Sequence, residues 1–298
     1  MQVATGSFKN LRKRLFKFTR RRLLVGLAAV VVYALVMFPL GCGRLLANKV
    51  MLFPSTGVVP TYGATERTIE TPAGDVQVFV ARSTSAIGRP AERYVLYLMG
   101  NGSRAEHHAT ETAARWDDVP TEVWAMNYPG YGASPGPATL DKLAPAGRAV
   151  YESMAEAADD ASLYLDCDSM GCTVGLYLAA AMRSERPVAG LVMKNPPPLR
   201  ELVMGRFGWW NLWLVAGPVA AGVPGELSAT TNAAQSHAPA VFIRAGGDSL
   251  VPPDYQARVF EAYAGRKQLV VLDGAEHNTP LSSEDEAAVR EAMGELFR

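Results

Sequence analysis

The stretch Ala161–Ala181, ASLYLDCDSMGCTVGLYLAAA, decides the fold. Its first half predicts a short buried strand and its second half an apolar helix, with a tight turn at Ser169 between them. A side chain on such a turn projects from the end of a sheet, and the turn has room only for small residues two positions before and after it. Centred on Ser169, these positions hold Cys167 and Gly171, so Ser169 is the candidate nucleophile, although cysteine stands where glycine is usual.

Apolar runs and helical patterns alternate on both sides of this stretch. The pattern predicts seven further strands, at Thr65–Thr71, Asp75–Arg82, Arg93–Met99, Glu122–Asn127, Val188–Lys194, Ala240–Ala245 and Gln268–Leu272. The first two flank Pro72-Ala73-Gly74 and should form an antiparallel hairpin. The others alternate with helices, which predicts an α/β fold with a mostly parallel central sheet flanked by helices.

The helices are predicted to run up to Trp116 and over Leu140–Ala158, Tyr255–Ala264 and Ser283–Phe297. In the last of them Ser283 and Glu286 have the spacing of a capping box. Residues 199–236 break the alternation with several prolines and glycines, so we expect a small cap-like insertion there.

Two polar residues follow predicted strands late in the chain. Asp248 comes after Ala240–Ala245 and His277 after Gln268–Leu272, and functional residues collect at such strand ends. Attack by a serine requires a base to take its proton and an acid to orient the base. The rivals are the acid Asp254 and three histidines that precede Asp248, namely His107, His108 and His237. The order Ser169, Asp248, His277 favours these three as the catalytic residues.

Two backbone N–H groups are candidates for an oxyanion hole. Met170 directly follows the nucleophile, and Asn101 lies in the Gly100-Asn101-Gly102 loop after the third predicted strand. Such donors stabilise the charge that develops during acyl transfer. The same loop is also compatible with a simple tight turn.

The N-terminus is a separate compositional zone, because every charged residue before Glu66 is basic. Leu23–Leu40 is uncharged and apolar, close to the roughly 20 residues needed to cross a bilayer. The preceding basic run, Lys9–Arg22, places the N-terminus in the cytoplasm and the rest of the chain outside it. Because Leu40-Gly41-Cys42 resembles a bacterial lipoprotein attachment site, an uncleaved inner-membrane anchor and a lipidated Cys42 both remain open.

We therefore expect four zones: a basic cytoplasmic N-terminus at 1–22, a membrane anchor or signal segment at 23–42, an approach segment at 43–64 and a catalytic domain at 65–298. The chain has 298 residues, and 49% of them are hydrophobic, which suits one large domain. Its formal net charge of zero argues against a nucleic-acid partner. Of the three cysteines, Cys167 and Cys172 are expected to be buried small residues rather than a disulfide.

From about Met51 onward the chain resembles the α/β-hydrolase superfamily, in particular bacterial serine esterases and lipases with a membrane-tethered N-terminus. The segments that carry the resemblance are Met51–Ser55, Gly100–Gly102, Asn127–Gly132, Asp168–Gly171, Asp248–Pro253 and Ala275–Asn278. Two departures are Met99, where histidine is usual, and Cys167. The resemblance implies a metal-independent hydrolase without a cofactor.

The expected function is hydrolysis of a small carboxylic ester through an acyl-enzyme intermediate. Thioesters, amides and peptides are alternative substrates, and a non-catalytic, membrane-tethered binding protein of the same fold is the alternative of another class. Trp209, Trp210 and Trp213 lie in the insertion and are expected to form an apolar wall for an acyl chain. The sequence leaves the oligomeric state, the natural substrate and the role of Asp168 open.

Overall fold

The computed structural model describes residues 25–32, 42–183, 186–207 and 213–297. Their strands are β1 (Thr65–Ile69), β2 (Val76–Arg82), β3 (Arg93–Leu98), β4 (Thr121–Met126), β5 (Ser162–Asp168), β6 (Gly190–Lys194), β7 (Ala240–Ala245) and β8 (Lys267–Leu272). They form one eight-stranded sheet in the order β1-β2-β4-β3-β5-β6-β7-β8. β1 and β2 pair antiparallel, β2 is antiparallel to β4, and the remaining pairs are parallel. The predicted mostly parallel sheet and its hairpin are confirmed.

Nine helices belong to this described part of the chain after residue 41: α1 (42–51), α2 (Ala109–Arg115), α3 (Leu140–Ala157), α4 (Met170–Ala181), α5 (Leu199–Phe207), α6 (Trp213–Gly222), α7 (Ala229–Ala233), α8 (Pro253–Ala262) and α9 (Ser283–Leu296). Short 3-10 turns lie at Thr84–Ala86, Ala105–His107 and Gly225–Leu227. The helices flank the sheet: α3, α4, α7 and α8 pack one against the next, while α2 and α9 each pack on strands of the sheet.

The central strands are buried because they are covered on both faces, as expected for parallel strands in an α/β sheet. β3 lies between β4 and β5, with Leu98 opposite both Met126 and Cys167. Val95, Leu96 and Leu98 have no exposed surface. The carboxyl ends of β3, β5, β6 and β7 therefore meet at one edge of a rigid core.

The insertion between β6 and β7 contains α5, α6 and α7. Its helix α6 crosses α1 at two glycines, because a Cβ at Gly43 would meet the backbone of Pro218 and one at Gly222 would meet the backbone of Gly43. The approach segment and the insertion thus pack backbone to backbone.

No helix within the described ranges is long and apolar enough to cross a membrane. Of the apolar segment Leu23–Leu40, residues 25–32 are helical and the others lie outside the described residues. The membrane segment and the four-zone division remain predictions.

Helix α9 begins at Ser283, as predicted, but its capping box differs from the sequence-based expectation. Ser282, and not Ser283, caps the helix: its side chain accepts a hydrogen bond from the N–H of Asp285, whose carboxylate accepts one from the N–H of Ser282. Glu286, the expected partner of Ser283, instead forms an ion pair with Arg115 of α2. The capping box lies one residue earlier because Ser282 has the extended backbone of an N-cap (φ −70°, ψ 169°), whereas Ser283 is already in the helix.

We expect Ser282→Ala to lower the free energy of unfolding by about 1 kcal/mol, the usual cost of losing a serine N-cap. Ser283→Ala is the matched control, because Ser283 lies inside the helix and alanine is a better helix former than serine. Urea unfolding followed by circular dichroism measures both variants. An equal loss in the two variants would contradict this assignment of the cap.

Candidate active site

Ser169 lies on the turn between β5 and α4, in an unusual backbone conformation with φ 48° and ψ −117°. Residues other than glycine rarely have positive φ, and such strain is found at functional sites. Two backbone hydrogen bonds hold the turn: the N–H of Ser169 donates to the carbonyl of Lys194 (2.8 Å), and the N–H of Cys172 donates to the carbonyl of Ser169 (2.9 Å). The strained turn is fixed to the neighbouring strand β6.

Close packing explains the small residues around Ser169. A Cβ at Gly171 would collide with the backbone carbonyl of Leu98 at the end of β3, so only glycine fits there. At the other position, the sulfur of Cys167 occupies the space that a side chain at Gly175 would take. The cysteine is therefore accommodated by a glycine one turn into α4, and the departure from the usual pattern leaves the turn intact.

A continuous chain of hydrogen bonds joins Ser169, His277 and Asp248. The distance from Ser169 Oγ to His277 Nε2 is 2.9 Å, and that from His277 Nδ1 to Asp248 Oδ2 is 2.6 Å. An ionised carboxylate accepts only, so Nδ1 carries the proton and Nε2 is left to accept from the serine hydroxyl. This is the arrangement in which a histidine can remove the proton of a serine.

Asp248 is buried, with 3% of its surface exposed. Its Oδ1 accepts hydrogen bonds from the N–H groups of Leu250 (2.9 Å) and Val251 (2.8 Å). Its Oδ2 accepts from His277 and also from Nε2 of Gln256 at 2.9 Å. These donors fix the carboxylate plane and compensate for its removal from water.

Asn195, at the end of β6, holds the loop that carries His277. Its Nδ2 donates to the backbone carbonyl of His277 (2.9 Å), and its Oδ1 accepts from the N–H of Ala245 at the end of β7 (2.9 Å). The residue is completely buried and has φ 52°, a conformation that asparagine tolerates better than most residues. The sequence analysis did not assign Asn195 a role, although its position directly after a strand was a usable signal.

A cavity of about 460 Å³ opens beside Ser169. Its apolar lining residues include Phe53, Ile243, Leu250, Pro280 and Leu281. Its polar lining residues, called the polar wall below, include Tyr97, Ser103, His108, Glu111, Arg115, Asp166, Asp168 and Lys194. Most of these polar groups already have partners within the protein, as the ion pairs below show.

Arg115 lies in this polar wall with two carboxylate partners. It is 2.9 Å from Asp166 Oδ2 and 2.8 Å from Glu286 Oε1. Burial opposes its charge, but the two carboxylates outweigh that effect and raise the pKa of Arg115 above its usual value. The Nε1 of Trp116 also donates to Asp166 Oδ2. The arginine is thus a fixed, internally neutralised cation.

His108 forms a second polar group in the same wall. Its Nε2 is 2.8 Å from Ser103 Oγ, and its ring stacks on Tyr97 with centroids 4.9 Å apart. Its Nδ1 lies 3.6 Å from Glu111 Oε2, and this contact with His108 lowers the pKa of Glu111. This rival histidine is therefore engaged away from Ser169.

In the described part of the chain, no three His, Cys, Asp or Glu side chains are grouped so as to hold a metal ion.

Comparison with known proteins identifies the fold. No family model matches the chain. Rv2307c, an uncharacterized protein of Mycobacterium tuberculosis, is 28% identical over 266 residues, which cover 86% of this chain and 88% of that protein. The solved esterase Pf2001 of Pyrococcus furiosus matches with a TM-score of 0.62 at 18% identity, over 83% of this chain and 98% of that one. XC6422 of Xanthomonas campestris, described as an α/β serine hydrolase without a lid, matches with a TM-score of 0.56 at 18% identity, over 82% of this chain and 96% of that one.

The chain has the α/β-hydrolase fold. At these identities the solved structures establish the fold alone. The chemistry that this chain can perform depends on its own residues.

The candidate oxyanion-hole residues have different surroundings. Asn101 lines the cavity, and its side chain is turned toward the approach segment: Oδ1 accepts from the N–H of Phe53 (2.9 Å), and Nδ2 donates to the carbonyl of Met51 (2.6 Å). These bonds fix the loop that presents the Asn101 backbone. Met170 is buried at the first position of α4 and is not one of the residues that line the cavity. Its role as a donor remains a prediction.

The expected acyl wall falls largely outside the described residues. Trp209 and Trp210 are not described, and of Trp213 the structure gives only the backbone, at the start of α6.

The thiols of Cys167 and Cys172 are free and buried, as expected, and burial raises the pKa of both well above the usual value.

We expect Asn195→Ala to reduce kcat at least tenfold with little change in KM, because the loop of His277 loses its hydrogen bond to β6. Asn232→Ala is the matched control: Asn232 is also buried and also donates to a backbone carbonyl, that of Glu226, in the insertion. Both variants should lose stability, but only the first should lose turnover. Steady-state kinetics and thermal unfolding measure the two effects, and equal kinetic losses would contradict the positioning role of Asn195.

Proposed function

We propose that this protein is a serine hydrolase that cleaves carboxylic esters through an acyl-enzyme intermediate. The observation that carries the proposal is the continuous chain from Ser169 Oγ through His277 to Asp248 beside an open cavity. The esterase and serine hydrolase with the same fold add support, at low sequence identity.

In the proposed reaction His277 Nε2 takes the proton of Ser169 as Oγ attacks the ester carbonyl. The same histidine then gives the proton to the leaving alcohol, and the acyl group stays on Ser169. In the second half-reaction water gives a proton to His277 Nε2 as it attacks the acyl carbonyl. His277 then returns the proton to Ser169 Oγ, and the acid is released. Asp248 stays ionised throughout, orients the ring through Nδ1 and stabilises the transient imidazolium.

The backbone N–H groups of Met170 and Asn101 are proposed to bind the negative oxygen of the tetrahedral intermediate. A donor of this kind typically lowers the barrier by about 3 kcal/mol. Gly100 supports this role, since a Cβ there would lie 3.4 Å from the Cβ of Ser169. The missing side chain leaves the space beside the nucleophile open to a substrate.

We also propose that the catalytic domain is tethered to a membrane and lies outside the cytoplasm. The support is the sequence alone: a basic run before an apolar segment at Leu23–Leu40. Whether the segment itself or a lipid on Cys42 is the anchor remains open.

We expect a fluorophosphonate probe to label the wild-type protein and not Ser169→Ala, since the probe reacts with an activated serine. Asp248→Asn should lower the rate of ester turnover on the order of 10⁴-fold by leaving the histidine in the wrong tautomer. Asp254→Asn is the matched control, because this exposed acid lies in the first turn of α8. Persistent labelling of Ser169→Ala would place the nucleophile elsewhere.

We expect alkaline phosphatase fused after Arg298 to be active in a bacterial host, because this reporter folds only outside the cytoplasm. A β-galactosidase fusion at the same site is the control and should be inactive. The reverse pattern would contradict the proposed orientation. Mass spectrometry of the parent and of Cys42→Ser then distinguishes the two anchors, since only a lipidated Cys42 would give a mass difference beyond the substitution.

A further inference from the structure

The carboxyl group of Asp168 has no part in the proposed mechanism, although it directly precedes the nucleophile. It ends β5 and lines the cavity, and the residue as a whole is partly exposed. Its Oδ1 is inaccessible to solvent and has no hydrogen-bond partner among the described residues. A buried polar atom without a partner is uncommon and costs stability, so the arrangement calls for an explanation.

The two oxygens of this carboxyl group have different surroundings. Oδ2 lies next to Gly100, where an added Cβ would be 3.2 Å away, and Gly100 itself lines the cavity. Oδ2 forms no hydrogen bond within the described residues, and unlike Oδ1 it is not closed to solvent. A substrate in the cavity can therefore meet Oδ2 beside Ser169, but it cannot reach Oδ1.

An unpartnered, covered Oδ1 disfavours a carboxylate, because the negative charge would be shared by an oxygen that nothing stabilises. A neutral carboxyl group fits better: Oδ1 is then a carbonyl-type oxygen and Oδ2 carries the proton. Burial raises the pKa of Asp168 above its usual value, although Lys194, His277 and His108 act in the opposite direction. The unpartnered Oδ1 and the raised pKa both favour a neutral carboxyl group.

The neighbouring cations do not compete for the same role. Lys194 donates to the backbone carbonyl of Thr279 (3.0 Å), and Arg115 is paired with Asp166 and Glu286. A substrate hydroxyl is neutral and can accept a hydrogen bond from Oδ2 while it donates to another oxygen of the polar wall.

We propose that Asp168 is a specificity residue whose carboxyl group, through Oδ2, binds a hydroxyl group of an oxygenated ester held in the cavity beside Ser169. The inference rests on the proposed ester hydrolysis and names its substrate class. The hydroxyl belongs either to the alcohol or to the acyl portion of the ester, and two pairs of substrates distinguish these possibilities.

The experiment measures kcat/KM of the full-length protein for each pair. Glycerol monobutyrate against propyl butyrate tests a hydroxyl on the alcohol, and ethyl lactate against ethyl propionate tests one on the acyl group. In at least one pair the wild type should prefer the hydroxylated ester about tenfold, a preference worth one hydrogen bond of 1.4 kcal/mol. The ratio within a pair cancels any general effect of a substitution on the catalytic residues.

Asp168→Leu, of similar size but without polar atoms, should abolish the preference. Asp168→Asn should retain it, because the amide can place its oxygen at the covered position and its N–H donors toward the cavity. Asp254→Asn is the matched control: it neutralises an exposed carboxylate of α8 that does not line the cavity, and it should leave the preference intact. If Asp168→Leu does not fold, Asp168→Ala removes the carboxyl group without adding bulk.

An unchanged preference in Asp168→Leu, or its equal loss in Asp168→Asn and Asp168→Leu, would overturn the proposal. So would a wild type without preference in either pair, even though it hydrolyses these esters through Ser169. Absence of both ester turnover and fluorophosphonate labelling would instead refute the proposed function, and the inference would fall with it.

Discussion

The close approach of α4 to the end of β3 is the constraint on which the rest of the site depends. Gly171 lies against the backbone carbonyl of Leu98, where no side chain fits. This contact holds Ser169 at φ 48° and ψ −117°, a conformation that costs of the order of 1–3 kcal/mol. The buried strands around it can hold that strain because they are packed on both faces. Relaxation of the turn would withdraw the hydroxyl from His277.

The order of the strands in the sheet brings the other residues of the site close to this strained turn. Ser169, Asn195 and Asp248 follow the adjacent strands β5, β6 and β7, and His277 reaches across from the loop after β8. Asn195 joins two of these strand ends because it bonds both the backbone of β7 and that of the His277 loop. The triad geometry is therefore a property of the whole carboxyl edge rather than of any one loop.

The polar wall of the cavity is largely self-satisfied. Arg115 neutralises Asp166 and Glu286, and the latter contact also connects α2 to the start of α9. Breaking such a buried pair from one side leaves an uncompensated charge, so these residues are constrained by stability. Asp168 differs, because its Oδ1 lacks a partner within the described structure. Its other oxygen, Oδ2, has no hydrogen-bond partner within the described residues either, and it is the oxygen that a ligand in the cavity can meet.

The sequence by itself determined the strands, the hairpin and the Ser169 turn, because strand periodicity and the need for small residues are properties of a few neighbouring positions. It also determined the order in which Ser169, Asp248 and His277 follow their strands. Only the tertiary structure decided the contacts between distant residues. These include the space at Gly175 that admits Cys167, the Arg115–Glu286 pair between α2 and α9, and the bonds of Asn195. Each depends on which helices and strands become neighbours, and that choice is made by the packing of the whole core.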